Sequence, residues 1–344
     1  MENLLAQYRQ RLKLQNAVFS RIDHNEAMVA IVYKITQPDG TQLILKICSR
    51  PADYFHEEFF LTRFAGQLPV PRIVQLVPPE NLIHGAILME CLAGELLSKA
   101  EFTEALAYEV GSLLARIHLN RTPGYGDLIQ SQDLSPDPRV HFSLKFEESM
   151  QECSNHLPKK LLQQCRHYFD EHLSLLDSAD APCIVHRDYR PGNLIVDHGK
   201  VQGIIDWSSA RSSFAQEDFC SWEHGEWPNR PASHQSFLAG YAHIRPIPDY
   251  HAMMPLLRLS KAIATIGFTV KRETWNSTHT KLYQYNRHCS AGLSRGICVG
   301  STATPSYRLD PCSRGRTLSH SARHRLEKNP SAQSVSRSAP PRAI

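Results

Sequence analysis

Three oxygen-bearing side chains between Cys183 and Trp207 fall at spacings that suit one reaction: Asp188, Asn193 and Asp206. Phosphoryl transfer from a nucleotide needs a carboxylate that orients an attacking hydroxyl and accepts its proton. It also needs hard oxygen ligands that hold magnesium against the phosphates. The pattern H-R-D-x-x-x-x-N, followed by an apolar run ending in Asp, supplies both. Asp188 is the expected base, and Asn193 and Asp206 the expected metal ligands. Arg190, two residues beyond Asp188, can bring positive charge to a transferred phosphoryl group.

These side chains need elements to position them. Cys183-Ile184-Val185 is apolar and reads as a strand. A polar loop runs from His186 to Asn193. Leu194-Ile195-Val196 and Val201 to Ile205 then flank Asp197-His198-Gly199-Lys200, the pattern of a β-hairpin. This unit presents Asp188, Asn193 and Asp206 on loops at one end of a small sheet.

The segment resembles the catalytic loop and metal-binding aspartate of the protein-kinase-like fold. Trp207 after Asp206, where protein kinases usually carry Phe-Gly, is more similar to the aminoglycoside phosphotransferase and choline kinase family. That family commonly has His-Gly-Asp where this chain has His186-Arg187-Asp188. The resemblance implies an α+β, bilobal protein-kinase-like fold: a small antiparallel β-sheet lobe over a larger, mainly helical lobe. The implied divisions are residues 1–92 for nucleotide binding and 93–285 for catalysis and substrate; residues 286–344 fall outside the resemblance, and their basic, Ser/Arg/Pro-rich composition without sustained periodicity predicts a disordered tail. The implied cofactors are ATP, with GTP open, and Mg²⁺. The implied partner is a small-molecule hydroxyl acceptor.

Other residues gain meaning from the same resemblance. Val29 to Thr36 and Gln42 to Cys48 read as strands around the turn Pro38-Asp39-Gly40. Lys46 lies within the second, where an amine is costly to bury without an anion. In the family a lysine here grips nucleotide phosphates and pairs with a helix glutamate. Glu57, on the helix expected over Asp53 to Phe64, is the expected partner, with Glu58 next. Ala86 to Leu92 reads as a buried strand, and backbone groups near Met89 and Cys91 would bind adenine. Ser20 to Ala30 has no glycine, unlike the phosphate-covering loop of protein kinases.

Helices are expected over residues 3–17, 101–118, 143–177 with a break at Pro158, and Met253 to Phe268. His118 is expected to be structural, and so is Asp218. The stretch 216–228 mixes Glu217, Glu223 and Glu226 with Trp222 and Trp227. It is the expected substrate surface, suited to a cationic, hydroxyl-bearing acceptor such as an aminoglycoside, with choline-like alcohols and neutral sugars after it. Two other readings stay open. His-Arg-Asp also occurs in protein kinases, although no Asp-Phe-Gly or Ala-Pro-Glu comes after it. The missing glycines also permit a non-catalytic nucleotide-binding or interaction protein.

Composition sets the frame. The chain has 344 residues, 42% of them hydrophobic, enough for a substantial core. The net charge is +4, but residues 285–344 hold ten Lys/Arg against two Asp/Glu, which leaves the first 284 residues at −4. A mildly acidic body gives no reason to expect nucleic acid. No run approaches the length of a membrane span, and Met1-Glu2-Asn3 lacks signal-peptide character. Nine cysteines without a C-x-x-C pair favour reduced thiols and a cytoplasmic setting.

Overall fold

The computed structural model describes residues 2–22, 30–80, 83–98, 100–225 and 231–294. All belong to the first of the two units into which the chain divides, Met1–Thr302 and Ala303–Ile344. Helix α1 (Glu2–Arg11) is shorter than its apolar pattern suggested. Strands β1 (Val18–Arg21), β2 (Ala30–Thr36) and β3 (Gln42–Cys48) come next. Then come helix α2 (Pro51–Phe64) and strands β4 (Ile73–Val77) and β5 (Gly85–Glu90). These five strands form one antiparallel sheet in the order β1-β2-β3-β5-β4. Residues 23–29, most of the glycine-free loop, lie outside the described residues.

The register of the sheet places Lys46 opposite Val32 on one side and Ile87 on the other. Its amine therefore leaves the middle of a buried sheet. Helix α2 packs beneath, burying Asp53, Tyr54, Glu57, Phe60, Leu61 and Phe64, a stripe at helical spacing with two carboxylates, Asp53 paired with Arg50 at its start and Glu57 in its middle. A short strand β6 (Glu95–Leu96) succeeds β5. Between them Gly94 has φ +106°, and a Cβ there would meet the Val196 carbonyl oxygen at 2.1 Å. Glycine is what lets the chain pass this close to the hairpin below.

The rest is mainly helical. Helix α3 (Glu104–His118) is capped by Thr103, whose hydroxyl accepts the Leu106 N–H. Helices α4 (Pro138–Cys153) and α5 (Lys159–His172) flank the break at Pro158. Next come β7 (Cys183–Val185), the hairpin β8 (Leu194–Asp197) and β9 (Lys200–Ile204), and β10 (Arg211–Ser213). Helices α6 (Gln216–Gly225), α7 (Pro231–Ile244), α8 (Met254–Lys271) and α9 (Thr280–Leu293) complete this part. Strand β8 pairs with β6 and β9, and β7 pairs with β10, all antiparallel. The architecture is α+β, with an antiparallel sheet joined to a mainly helical body.

Helix α9 corrects the expected start of the tail at residue 286. It continues to Leu293, and Cys289, Ser290 and Leu293 are buried. Its apolar positions are too sparse to stand out in the sequence, yet the α8 and α5 surfaces cover them. The remainder of the tail, residues 295–344, lies outside the described residues. Among the described residues the cysteines are free, and no helix is long and apolar enough to cross a membrane.

Candidate active site

The loop between β7 and β8 is held from behind. Asp218 on α6 is fully buried and accepts N–H groups of His186 (2.8 Å) and Arg187 (2.5 Å). It also accepts the Nε2–H of His118 at 3.0 Å, and His118 Nδ1 accepts a hydrogen bond from the Tyr241 hydroxyl at 2.8 Å. Burial disfavours the Asp218 charge, but His118 and the loop N–H groups outweigh it and hold the carboxyl below its usual range. Burial likewise lowers the pKa of His118 and of His186. His186 donates Nε2–H to the Ile205 carbonyl at 3.2 Å, and the Tyr189 hydroxyl donates to the Val110 carbonyl at 2.8 Å. His118 and Asp218 are thus structural anchors that fix the loop's backbone.

That backbone turns sharply. Arg187 adopts φ +65° and Asp206 adopts φ +64°, ψ +66°. Non-glycine residues in this left-handed region carry strain of about 1–3 kcal/mol, and such strain concentrates at functional sites. The next residue, Trp207, keeps Asp206 there. Trp207 is fully buried, stacked on Phe60 (6.0 Å between centroids) and tilted against Phe64 (4.9 Å), both on α2. Its indole N–H donates to the Ile204 carbonyl at 3.0 Å.

The charged groups meet where these elements converge. Lys46 Nζ lies 2.8 Å from Glu57 Oε2 and 2.8 Å from Asp206 Oδ1. Burial works against the ammonium, but Asp206 and Glu57 together raise its pKa above the ordinary lysine value. Burial also works against the Asp206 carboxylate, yet the Lys46 charge and hydrogen bond bring it down to about 2. For Glu57 burial prevails and its pKa is raised. Glu58 is not the lysine's partner; its carboxylate lies against Tyr54.

Asn193 faces Asp188 rather than Lys46. Its Nδ2 donates to the Asp188 carbonyl (2.9 Å) and to Asp188 Oδ2 (2.7 Å). Arg190 Nε lies 3.1 and 3.2 Å from the two oxygens of the same carboxylate. The Asn193 carbonyl accepts the Ile205 N–H at 3.0 Å, which brings the loop alongside Asp206. The donor set suits a magnesium ion. With its nitrogen committed to Asp188, the Asn193 amide has its oxygen to offer. Asp206 uses Oδ1 on Lys46 and on the Ser208 hydroxyl, 3.0 Å away, and has Oδ2 to offer. Among the described residues no group of three His, Cys, Asp or Glu forms a metal cage.

Near the C-terminal end of the interior strand β5, Met89 pairs with Ile44 and Ile73 and is buried, and Cys91 sits half-buried just past the strand's end.

The expected acidic substrate surface is different. Glu217 has 8% of its side chain exposed; Oε1 lies 2.8 Å from Arg211 and Oε2 lies 3.3 Å from Arg187. Arg211 is equally buried, and desolvation lowers its pKa to about 10. Glu223 accepts the Tyr250 hydroxyl at 3.0 Å and sits by Arg258 (3.7 Å) and His234 (3.5 Å). Both carboxylates are occupied by this chain's own cations, because the facing elements carry arginines that the local sequence does not reveal. Glu226 lies outside the described residues.

The sequence profile of the phosphotransferase enzyme family matches residues 30–256, which span both the Lys46–Glu57 pair and the Asp188–Asp206 loop. The chain belongs to this family. Solved structures agree on the fold of this phosphotransferase. Aminoglycoside phosphotransferase APH(4)-Ia superposes with a TM-score of 0.66 at 15% identity, over 88% of this chain and all (100%) of the other. The gentamicin complex of APH(2")-IIa gives 0.61 at 15% identity, over 84% and 98% of the two chains. Macrolide 2'-phosphotransferase MphH from Brachybacterium faecium gives 0.55 at 13%, over 88% and 100%. No curated protein matches the phosphotransferase by sequence.

Proposed function

We propose that this chain transfers the γ-phosphate of ATP to a hydroxyl of a small molecule. The observation that carries the reading is the meeting of Lys46 on β3 and Glu57 on α2 with Asp206, beside the loop on which Asn193 and Asp188 orient one another. Lys46, fixed by Glu57, would grip the nucleotide phosphates. The oxygens of Asn193 and Asp206 would hold magnesium, which when bound neutralises charge on the phosphates. Asp188 would accept the acceptor's proton, kept in orientation by Asn193 and Arg190. Arg190 would then stabilise the transferred group. The strand end at Met89 and Cys91 would meet the base of the nucleotide, ATP or GTP.

Structural relatives support the class of reaction. APH(4)-Ia was solved with AMP-PNP and hygromycin B, and APH(2")-IIa with gentamicin. We take the acceptor to be a hydroxyl-bearing antibiotic or similar small alcohol. Glu217 and Glu223 give a cationic acceptor no special advantage, since both are already paired.

The test is ADP release from Mg-ATP with a panel of acceptors: an aminoglycoside, a macrolide, choline and a sugar alcohol. Acceptor-dependent release that Asp188→Ala abolishes is the expected result. No release with any acceptor and no nucleotide binding would overturn the proposal. Phosphate appearing on added protein instead would favour a protein kinase.

A further inference from the structure

The helix that carries Glu57 holds a second contact at the preceding residue. His56 Nε2 lies 2.9 Å from Asp127 Oδ1, and its Nδ1 lies 2.8 Å from the Ala52 carbonyl oxygen. Both ring nitrogens face oxygen atoms, one on α2 itself and one on Asp127, so the ring makes one contact that leaves the helix. It is largely sheltered, with 16% of the His56 side chain and 30% of the Asp127 side chain exposed. Asp127 is itself held, since its Oδ1 also accepts the Ile129 N–H at 2.9 Å.

Asp127 leads straight to the catalytic loop. Its neighbour Gly126 exchanges two backbone hydrogen bonds with Ser212 of β10, at 2.9 and 3.0 Å. Ser212 pairs with Ile184, and Arg211 pairs with Val185, on β7. Strand β7 runs directly into His186-Arg187-Asp188. On the other side Glu57 leads through Lys46 to Asp206. Successive helical residues point about 100° apart. One helix turn therefore grips both halves of the site, Glu57 the nucleotide side and His56 the side of the base. The C-terminal end of α2 has its own tie, Arg63 Nη2 to Asn120 Oδ1 at 3.1 Å, and the Asn120 backbone carbonyl accepts the Ile184 N–H at 2.9 Å. His56 is the corresponding tie nearer the N-terminal end.

We propose that His56 and Asp127 are a positioning pair that fixes α2, and hence Glu57 and Lys46, relative to the catalytic loop. Neither touches the reacting atoms. Without the pair, the N-terminal half of α2 loses its tie to the Gly126–Ser212 segment while Phe60, Phe64 and Arg63 still hold its C-terminal half, so Glu57 and Lys46 are held less firmly in one geometry at the phosphates. The inference rests on the proposed phosphotransferase function.

The experiment measures binding of magnesium AMP-PNP by calorimetry, with melting temperature recorded alongside, for wild type, His56→Gln, Asp127→Ala and the double variant. Each single change is expected to weaken nucleotide binding about two- to fivefold, the upper part of the range for a partly exposed pair. The melting temperature should fall by a few degrees at most. The double variant should be no weaker than the weaker single one, because the two side chains form one contact. Asp127→Asn keeps an acceptor for the Ile129 N–H, and serves if the alanine variant does not fold; its loss should be smaller but measurable. If wild type binds the nucleotide and the variants bind it equally well, or the two losses simply multiply, the positioning pair is refuted. If wild type itself binds no nucleotide, the phosphotransferase function fails and the pair loses its purpose with it.

Discussion

Asn193 Nδ2 lies 2.7 Å from Asp188 Oδ2, so the expected metal ligand and the expected base are oriented by one another. The amide cannot turn its oxygen toward Asp188 without setting two acceptors against each other. One end of Asn193 therefore serves the expected base, and the other end is left for a cation. A substitution at either residue disturbs both roles, but to different degrees.

Asp188→Ala should lower turnover by about 10²–10⁴-fold, the usual scale of a lost general base, with nucleotide affinity changed little. Steady-state rates and direct nucleotide binding check this together. A variant retaining more than about a tenth of wild-type turnover would mean that Asp188 is not the base.

Magnesium titration separates Asn193 from Asp206. Asp206→Ala removes a charged ligand and should demand far more metal for nucleotide binding. Asn193→Ala should shift the requirement in the same direction by less. An unchanged magnesium dependence in both would rule out the ligand assignment.

The Lys46–Asp206 pair also predicts a pH effect on stability. The Asp206 carboxyl titrates at about 2 in the folded chain, below the ordinary aspartate value. Its contribution is therefore present above about pH 4 and is lost as pH falls toward about 2. The gap in melting temperature between wild type and Asp206→Asn should narrow across that window. A gap that stays constant from neutral pH downward would show that the charge contributes nothing to folding.

Glu217→Gln should cost stability rather than substrate selectivity. It strands the buried Arg211 guanidinium, and breaking a buried pair from one side costs about 3–5 kcal/mol. Denaturant unfolding should show the loss. A stable variant with altered preference between cationic and neutral acceptors would restore Glu217 as a substrate contact.

Two truncations test where the fold ends. Removal of residues 286–344 cuts α9 and exposes the surface that Cys289 and Leu293 cover, so the melting temperature should drop. Removal of 295–344 leaves α9 whole and should leave the melting temperature near wild type. Equal melting temperatures for both truncations would show that the last turns of α9 add no stability.

Much of the candidate site was legible because its signals are local. Asp188, Asn193 and Asp206 are read from spacing along one short loop and hairpin. Lys46 stands out because a charge inside an apolar strand demands a partner, and Glu57 because a carboxylate interrupts an apolar helical stripe. The helix over Pro51–Phe64 and the hairpin of β8 and β9 are read from periodicity and turn residues. Helix α9 gives no such signal because its buried positions include the polar Asn286 and Ser290 and the side-chain-less Gly292 beside Tyr283, Cys289 and Leu293.

What the sequence by itself determined was the set of candidate reactive residues and the elements that carry them, since these depend on residue type and on periods of a few residues. The tertiary structure alone decided which charges are spent on one another. Glu217 meets Arg211 and Arg187, and His56 meets Asp127 across 71 positions of sequence. A buried charge is neutralised by whatever the fold packs against it, and that partner is set by the register of strands and the crossing of helices. The acidic stretch near residue 217 read as an open surface for that reason, and became an internal ion pair once β10 and α6 were folded together.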